Sequence, residues 1–236
     1  MRGGPRTLSN ALLTTASTAG YVSFRQNKFL HWVSAAGVAA ILISAYRPER
    51  VFDWGLENVL VTCCLATLIL TYDRFPFSDL SYLLIVVFLA FHEWGAHFKY
   101  SDVPLGEWMK PWLHTQRNHY DRVIHFSFGL LLSYPMQEVF QRVGRVTEGW
   151  RYYLPVEATL ALSAVYEMME AGVASVVSPQ RGEEFVGMQG DIFDSQKDMF
   201  NATLGAIVAM VVIYSVRKRR AVATVKARAQ SATFAD

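Results

Sequence analysis

The sequence predicts an all-α, polytopic membrane helix bundle of about six transmembrane helices. Hydrophobic residues make up 52% of the chain and charged ones 18%, against roughly 25% charged in an ordinary soluble domain. The apolar residues also fall in long runs, and Leu80–Phe98, Val123–Phe140 and Met199–Val216 each approach the ~20 residues that cross a bilayer. With 236 residues, one membrane domain is the simplest division. Residues 1–28 form a basic tail, 29–216 the six-helix domain and 217–236 a basic C-terminal tail.

The tail is free of acids up to Glu49 and carries Arg2, Arg6, Arg25 and Lys28 among many Ser and Thr. A disordered cytoplasmic tail fits this composition, and an organellar transit peptide fits it too. The first span is Phe29–Tyr46, broken only by His31, Ser34 and Ser44. Val51–Tyr72 follows, with Asp53 and Glu57 near its start and the adjacent Cys63 and Cys64 read as small buried side chains. After the turn at Pro76 comes Leu80–Phe98. A polar stretch, 99–122, then contains Pro104–Leu113, where Trp108, Met109 and Trp112 suit a helix lying at the membrane interface. The fourth span is Val123–Phe140, with Pro135 an expected kink. The fifth is Tyr152–Val177, with Glu157, Glu167 and Glu170. A second polar loop, 178–197, precedes the last span.

Orientation follows from Lys and Arg placement. With both termini inside, inner segments hold 14 of the 22 basic residues, and both long polar loops are expected on the outer side. The net charge of +2, with basic residues beside apolar runs, argues against a nucleic-acid partner. The bilayer is the expected surrounding.

Five of the six histidines, His92, His97, His114, His119 and His125, lie within 34 residues. The topology brings His92, Glu93 and His97 from span three, Asp121 and His125 from span four, and Asp194 and Asp198 from span six to one end. Glu167 and Glu170 stand about 20–27 Å along span five, at 1.5 Å rise per residue, and so reach the same depth. Glu93/His97, Asp121/His125 and Asp194/Asp198 are four residues apart and Glu167/Glu170 three, so each pair shares a helix face. Isolated charges in hydrocarbon are costly, so such groups face one another, a metal or water. Glu57 and Glu138, one per helix, read as structural hydrogen-bond partners.

Mixed imidazole and carboxylate donors suit a divalent metal such as zinc, iron or manganese. The expected ligands are His92, His97, His125, Asp194 and Asp198. Glu93, Asp121 or Glu167 would supply acid–base chemistry, and Arg122 and Lys197 would bind an anion. The histidines of His92–His97 are five apart, which excludes the zinc-protease His-Glu-x-x-His spacing. Neither Ser127 nor Ser195 stands in a nucleophile-elbow context. The expected activity is hydrolysis or head-group transfer on a lipid or amphiphile, with a lipid-phosphate-binding or proton-coupled transport protein as the alternative.

Three motifs carry a resemblance: His92-Glu93-Trp94-Gly95-Ala96-His97, Arg117-Asn118-His119-Tyr120-Asp121-Arg122 with His125-Phe126, and Gly190-Asp191 through Asp198-Met199. Together they resemble the YjdF-type family of bacterial inner-membrane proteins, from about Leu30 to Val216. The resemblance implies a location, the bacterial inner membrane, and no reaction; the acid-free amino terminus leaves a eukaryotic organelle open. A second similarity is to VanZ-like proteins, whose Asp-Lys-x-x-His-Phe corresponds to Asp121-Arg122-Val123-Ile124-His125-Phe126. Their later glutamate and Asp-x-x-Asn-x-x-Gly correspond to Glu167 and to Asp198, Asn201 and Gly205, with one extra residue before the glycine. That similarity implies envelope-lipid or lipid-phosphate chemistry.

Overall fold

The computed structural model describes residues 23–178, 182 and 189–233. The basic stretch before residue 23, with the choice between tail and transit peptide, lies outside them, as does part of the second polar loop. Among the described residues there are seven α-helices and no strand. They are α1 (Lys28–Ala45), α2 (Val51–Thr71), α3 (Asp79–Phe98), α4 (Pro104–Leu113), α5 (Tyr120–Arg142), α6 (Trp150–Val176) and α7 (Asp194–Thr233). Short 3-10 turns, Phe24–Gln26 and Tyr100–Asp102, lead into α1 and α4.

α1, α2, α3 and α7 are both long and apolar enough to cross a membrane. α5 and α6, with 23 and 27 residues, are long enough but more polar. Their polar side chains are turned inward: Ser133, Gln137 and Thr159 are fully buried, and His125, Ser163 and Glu167 nearly so. Inside a bilayer that is the one direction in which such groups find partners. The all-α membrane bundle expected from the sequence is the observed architecture.

α5 lies at the centre. Its most extensive contact is with α7, and it also packs on α3 and α6, while α1 and α2 pack on α3. The α5–α7 contact is backbone on backbone. A Cβ added to Gly129 would overlap the Ala202 carbonyl, and one added to Gly205 would overlap the Phe126 carbonyl. Small residues allow such approach between membrane helices, where packing rather than water expulsion drives association.

At the end away from the polar cluster, Glu138 of α5 gathers the start of α3. It accepts hydrogen bonds from the Ser78 amide (3.0 Å), the Ser78 hydroxyl (2.9 Å) and the Ser81 hydroxyl (2.6 Å). Asn27 caps α1 through the Leu30 amide (3.0 Å) and donates to Asp79 of α3 (2.7 Å).

Two sequence expectations are revised. Cys63 and Cys64 are exposed rather than buried, because α2 offers only a narrow face to α3, and Cys64 borders a cavity. α7 begins five residues before its apolar run, where Asp194 and Asp198 complement the positive end of the helix dipole, and continues to Thr233.

Candidate functional site

The end of α3, the starts of α5 and α7 and the later part of α6 meet at one end of the bundle. Two chain segments lock them there. The Asn118 amide donates to Gln189 Oε1 (2.9 Å), and Gln189 Nε2 donates back to the Asn118 carbonyl (3.1 Å). The Asn118 side chain ties the same turn to the Val103 carbonyl (3.0 Å) and to Glu107 (2.9 Å). Arg117 forms a buried ion pair with Asp194. Arg122 reaches Asp191 at 2.5 Å and Asp194 at 3.5 Å, and Lys197 reaches Asp191 at 2.6 Å. The two cations on Asp191, Lys197 foremost, hold its carboxyl well below the usual range. Burial, with Arg122 and Arg117 nearby, pushes His119 down.

Beneath this lock lies a compact cluster of donors. One ligand atom from each of His125, Glu167 and Asp198 falls within 4.8 Å of the others, and the same holds for Asp121, Asp194 and Asp198. His125 Nε2 is the focus, 3.3 Å from Glu167 Oε1 and 3.7 Å from Asp121 Oδ1. Its other nitrogen, Nδ1, is 3.3 Å from the Ser163 hydroxyl. Glu167 Oε1 and Asp198 Oδ1 are buried and have no hydrogen-bond partner among the described residues. Several carboxylates so close together, with bare oxygens, require a proton or a cation between them.

Five of the expected site residues, Asp121, His125, Glu167, Asp194 and Asp198, are thus brought together. Arg122 touches the edge of this cluster at Asp194, and the others stand apart. Glu93 and His97 do share a face, but it is turned toward α1: Glu93 accepts from the Ser44 hydroxyl and His97 Nδ1 donates to the Ser44 carbonyl (2.9 Å). Trp54 of α2 joins this network by donating to Ser44 Oγ (2.6 Å). Arg122 and Lys197 converge on Asp191. His92 belongs to a second polar group that its sequence neighbours did not announce. Its Nδ1 is 2.7 Å from the Tyr100 hydroxyl, and its Nε2 is 3.9 Å from Glu57 Oε2. Tyr166 donates to that same Glu57 oxygen (2.9 Å), and its ring meets the His125 ring edge-on at 5.8 Å. Burial raises the Tyr100 phenol well above its usual titration range. The one sequence sign of this arrangement is Gly95, whose missing side chain leaves the space that the Tyr100 ring fills.

Between α2, α3, α5 and α6 runs a cavity of about 460 Å³, within the usual size of small-molecule sites. Its walls are almost wholly apolar. The polar residues His92, Tyr100, Asp121, His125, Ser163 and Tyr166 gather at one end. From Asp121 to Val139, both of which line it, the cavity follows α5 for about 27 Å at 1.5 Å per residue. Leu60 of α2 and Leu162 and Val165 of α6 line it while remaining 37%, 50% and 47% exposed, so it opens sideways between α2 and α6.

A family model described as "Predicted membrane protein (DUF2238)" matches residues 29–219. The chain is 33% identical over 186 residues to a protein of Escherichia coli (strain K12) named "Inner membrane protein YjdF", covering 77% of this chain and 88% of that one. No solved structure matches it.

Proposed function

The chain belongs to the membrane-protein family DUF2238, and on that premise we propose that its buried His–carboxylate cluster is a divalent-metal centre that hydrolyses or transfers the head group of a lipid or amphiphile. One observation carries the reading. His125 both lines the polar end of the long apolar cavity and stands at the focus of the donor cluster. A ligand whose chain occupies the cavity therefore presents its head to those donors.

The donor set suits the chemistry. One imidazole and two carboxylates, His125, Glu167 and Asp198, leave coordination positions open for water and substrate, as catalytic rather than structural sites do. The Ser163 hydroxyl at His125 Nδ1 supports the tautomer that frees Nε2 for a metal. A bound metal would polarise a carbonyl or phosphoryl oxygen and lower the pKa of its water. Asp121, 3.7 Å from His125 Nε2, is placed to take a proton from that water or to complete a second cation site with Asp194.

Metal analysis of the detergent-purified chain tests the proposal. Stoichiometric zinc, iron or manganese is expected, with its loss in Asp198→Asn accompanied by failure to complement a deletion strain and by a changed membrane lipid profile. Protein that is metal-free as isolated, without chelator, and that still complements overturns it. A requirement for a proton gradient instead of a metal would favour transport.

A further inference from the structure

We infer that the cavity binds a long-chain amphiphile with a free hydroxyl group, its chain lying along α5 and its hydroxyl seated between His92 Nε2 and Glu57 Oε2. The inference rests on the reading above for whatever follows binding, whereas the binding step itself needs no metal.

The hydroxyl specificity comes from a pair of atoms that face each other at an unusual separation. His92 Nε2 is buried, has no hydrogen-bond partner among the described residues, and lies 3.9 Å from Glu57 Oε2. That distance is too long for a hydrogen bond between them. It is short enough for one small group to touch both. The Tyr100 hydroxyl lies 2.7 Å from Nδ1, and with the Glu57 carboxylate opposite Nε2 the favoured tautomer has Tyr100 donating to Nδ1. Nε2 then carries the imidazole hydrogen and can only donate. Glu57 Oε2, already accepting from Tyr166, can accept once more. The gap therefore asks for an atom that accepts from nitrogen and donates to oxygen. A hydroxyl does both. An ether, ester or alkyl group cannot donate, and an ammonium cannot accept.

The chain specificity comes from the walls. His92, Tyr100 and Tyr166 line the polar end of the cavity, and Leu68, Leu132 and Val139 its far part. The side opening past Leu60 and Leu162 faces the bilayer, so a membrane-dissolved amphiphile enters without crossing water. Leaving buried polar groups unpaired is costly, which gives a site of this kind its discrimination against an analogue lacking the hydroxyl.

The test uses the full chain in lipid nanodiscs and a pair of probes, a long-chain alkanol with a mid-chain diazirine and its methyl ether. Photolabelling followed by peptide mapping should place the alkanol on α2, α5 and α6 segments that line the cavity, with the ether weaker by about tenfold or more, the scale of a lost hydrogen bond to a charged group. E57L, which removes the acceptor, should reduce alkanol labelling to the level of the ether. L162W, which places bulk at the opening, should reduce both probes, and it keeps the test available if E57L does not fold. Equal labelling by the two probes in the unmodified chain, or labelling confined to lipid-facing residues away from the cavity, overturns the inference. Metal content measured on the same preparation separates the two readings: alkanol selectivity in a metal-free chain removes the metal centre and leaves the hydroxyl site standing.

Discussion

Gly129 of α5 and Ala202 of α7 meet without a side chain between them, so that a Cβ at Gly129 would overlap the Ala202 carbonyl. Four residues before each stand His125 and Asp198, one helical turn away on the same faces. The glycine contact thus sets how closely these two members of the donor cluster approach. Gly129→Val should force the helices apart at a cost of about 1–3 kcal/mol, the usual scale of overpacking. Thermal unfolding in detergent, with metal content on the folded fraction, checks this. An unchanged melting temperature and full metal occupancy would show that the contact is slack.

Asp198 and Asp194 separate chemistry from scaffold on a single helix. Asp198 is in no ion pair among the described residues and has a bare buried oxygen, so Asp198→Asn should keep yield and melting temperature. Its function should fall by about two to four orders of magnitude, the scale of a lost acid–base group. Asp194→Asn leaves the buried guanidinium of Arg117 without its carboxylate and should cost about 3–5 kcal/mol. Expression and size-exclusion profiles of the two variants, side by side, decide. Equal behaviour of the two would mean that Asp198 is also structural.

The contacts of Asn118 with Gln189 and of Arg117 with Asp194 put both long polar segments at the same end of the bundle. The 14-to-8 distribution of basic residues predicts that this end faces outward. A cysteine introduced at the exposed Asp102 or Ile192 should react with an impermeant reagent in intact cells, and one at the exposed Gly149 should not. The reverse pattern inverts the orientation and keeps the shared end.

Asp191 predicts acid sensitivity of the lock over the site. Its carboxyl is held below the ordinary value of 3.8, chiefly by Lys197. A carboxylate depressed in the folded state stabilises it above the unfolded value, and that contribution is lost as pH falls through the folded one. The lock should therefore be intact near neutrality and loosen below about pH 4. Hydrogen exchange of residues 189–197, corrected for intrinsic rates, should rise in that range. In Asp191→Asn the exchange should be high at neutral pH and show no such step.

The bundle itself was legible because apolar runs, turn residues and basic flanks are local signals. α4 appears with the bounds that its Pro and its aromatic spacing suggest. Facing was legible only in part. The i,i+4 rule correctly placed Glu93 and His97 on one face, yet nothing in the spacing says whether that face meets Ser44 of α1 or His125 of α5. That choice depends on which helices touch, and so on close contacts such as that at Gly129. Glu57 reads correctly as a hydrogen-bond partner, but the Tyr166 that donates to it lies 109 positions away and the His92 that faces it 35 away, beyond any local pattern. Tyr166 carries no local sign of its role, because a tyrosine in a membrane protein ordinarily marks the interface.

The two ends of the bundle are joined by bonds of different kinds. Glu138 ties α5 to α3 through hydroxyls and a backbone amide, and its ion pair with Arg142 lies within α5 itself. At the site end the ties between segments include ion pairs, Arg122 and Lys197 on Asp191 among them, and Lys197 is half exposed. Exposed pairs weaken as ionic strength rises. Salt should therefore loosen the ties between segments at the site end while the hydrogen-bonded Glu138 end stays a fixed pivot, so that ionic strength becomes a one-ended control on this bundle.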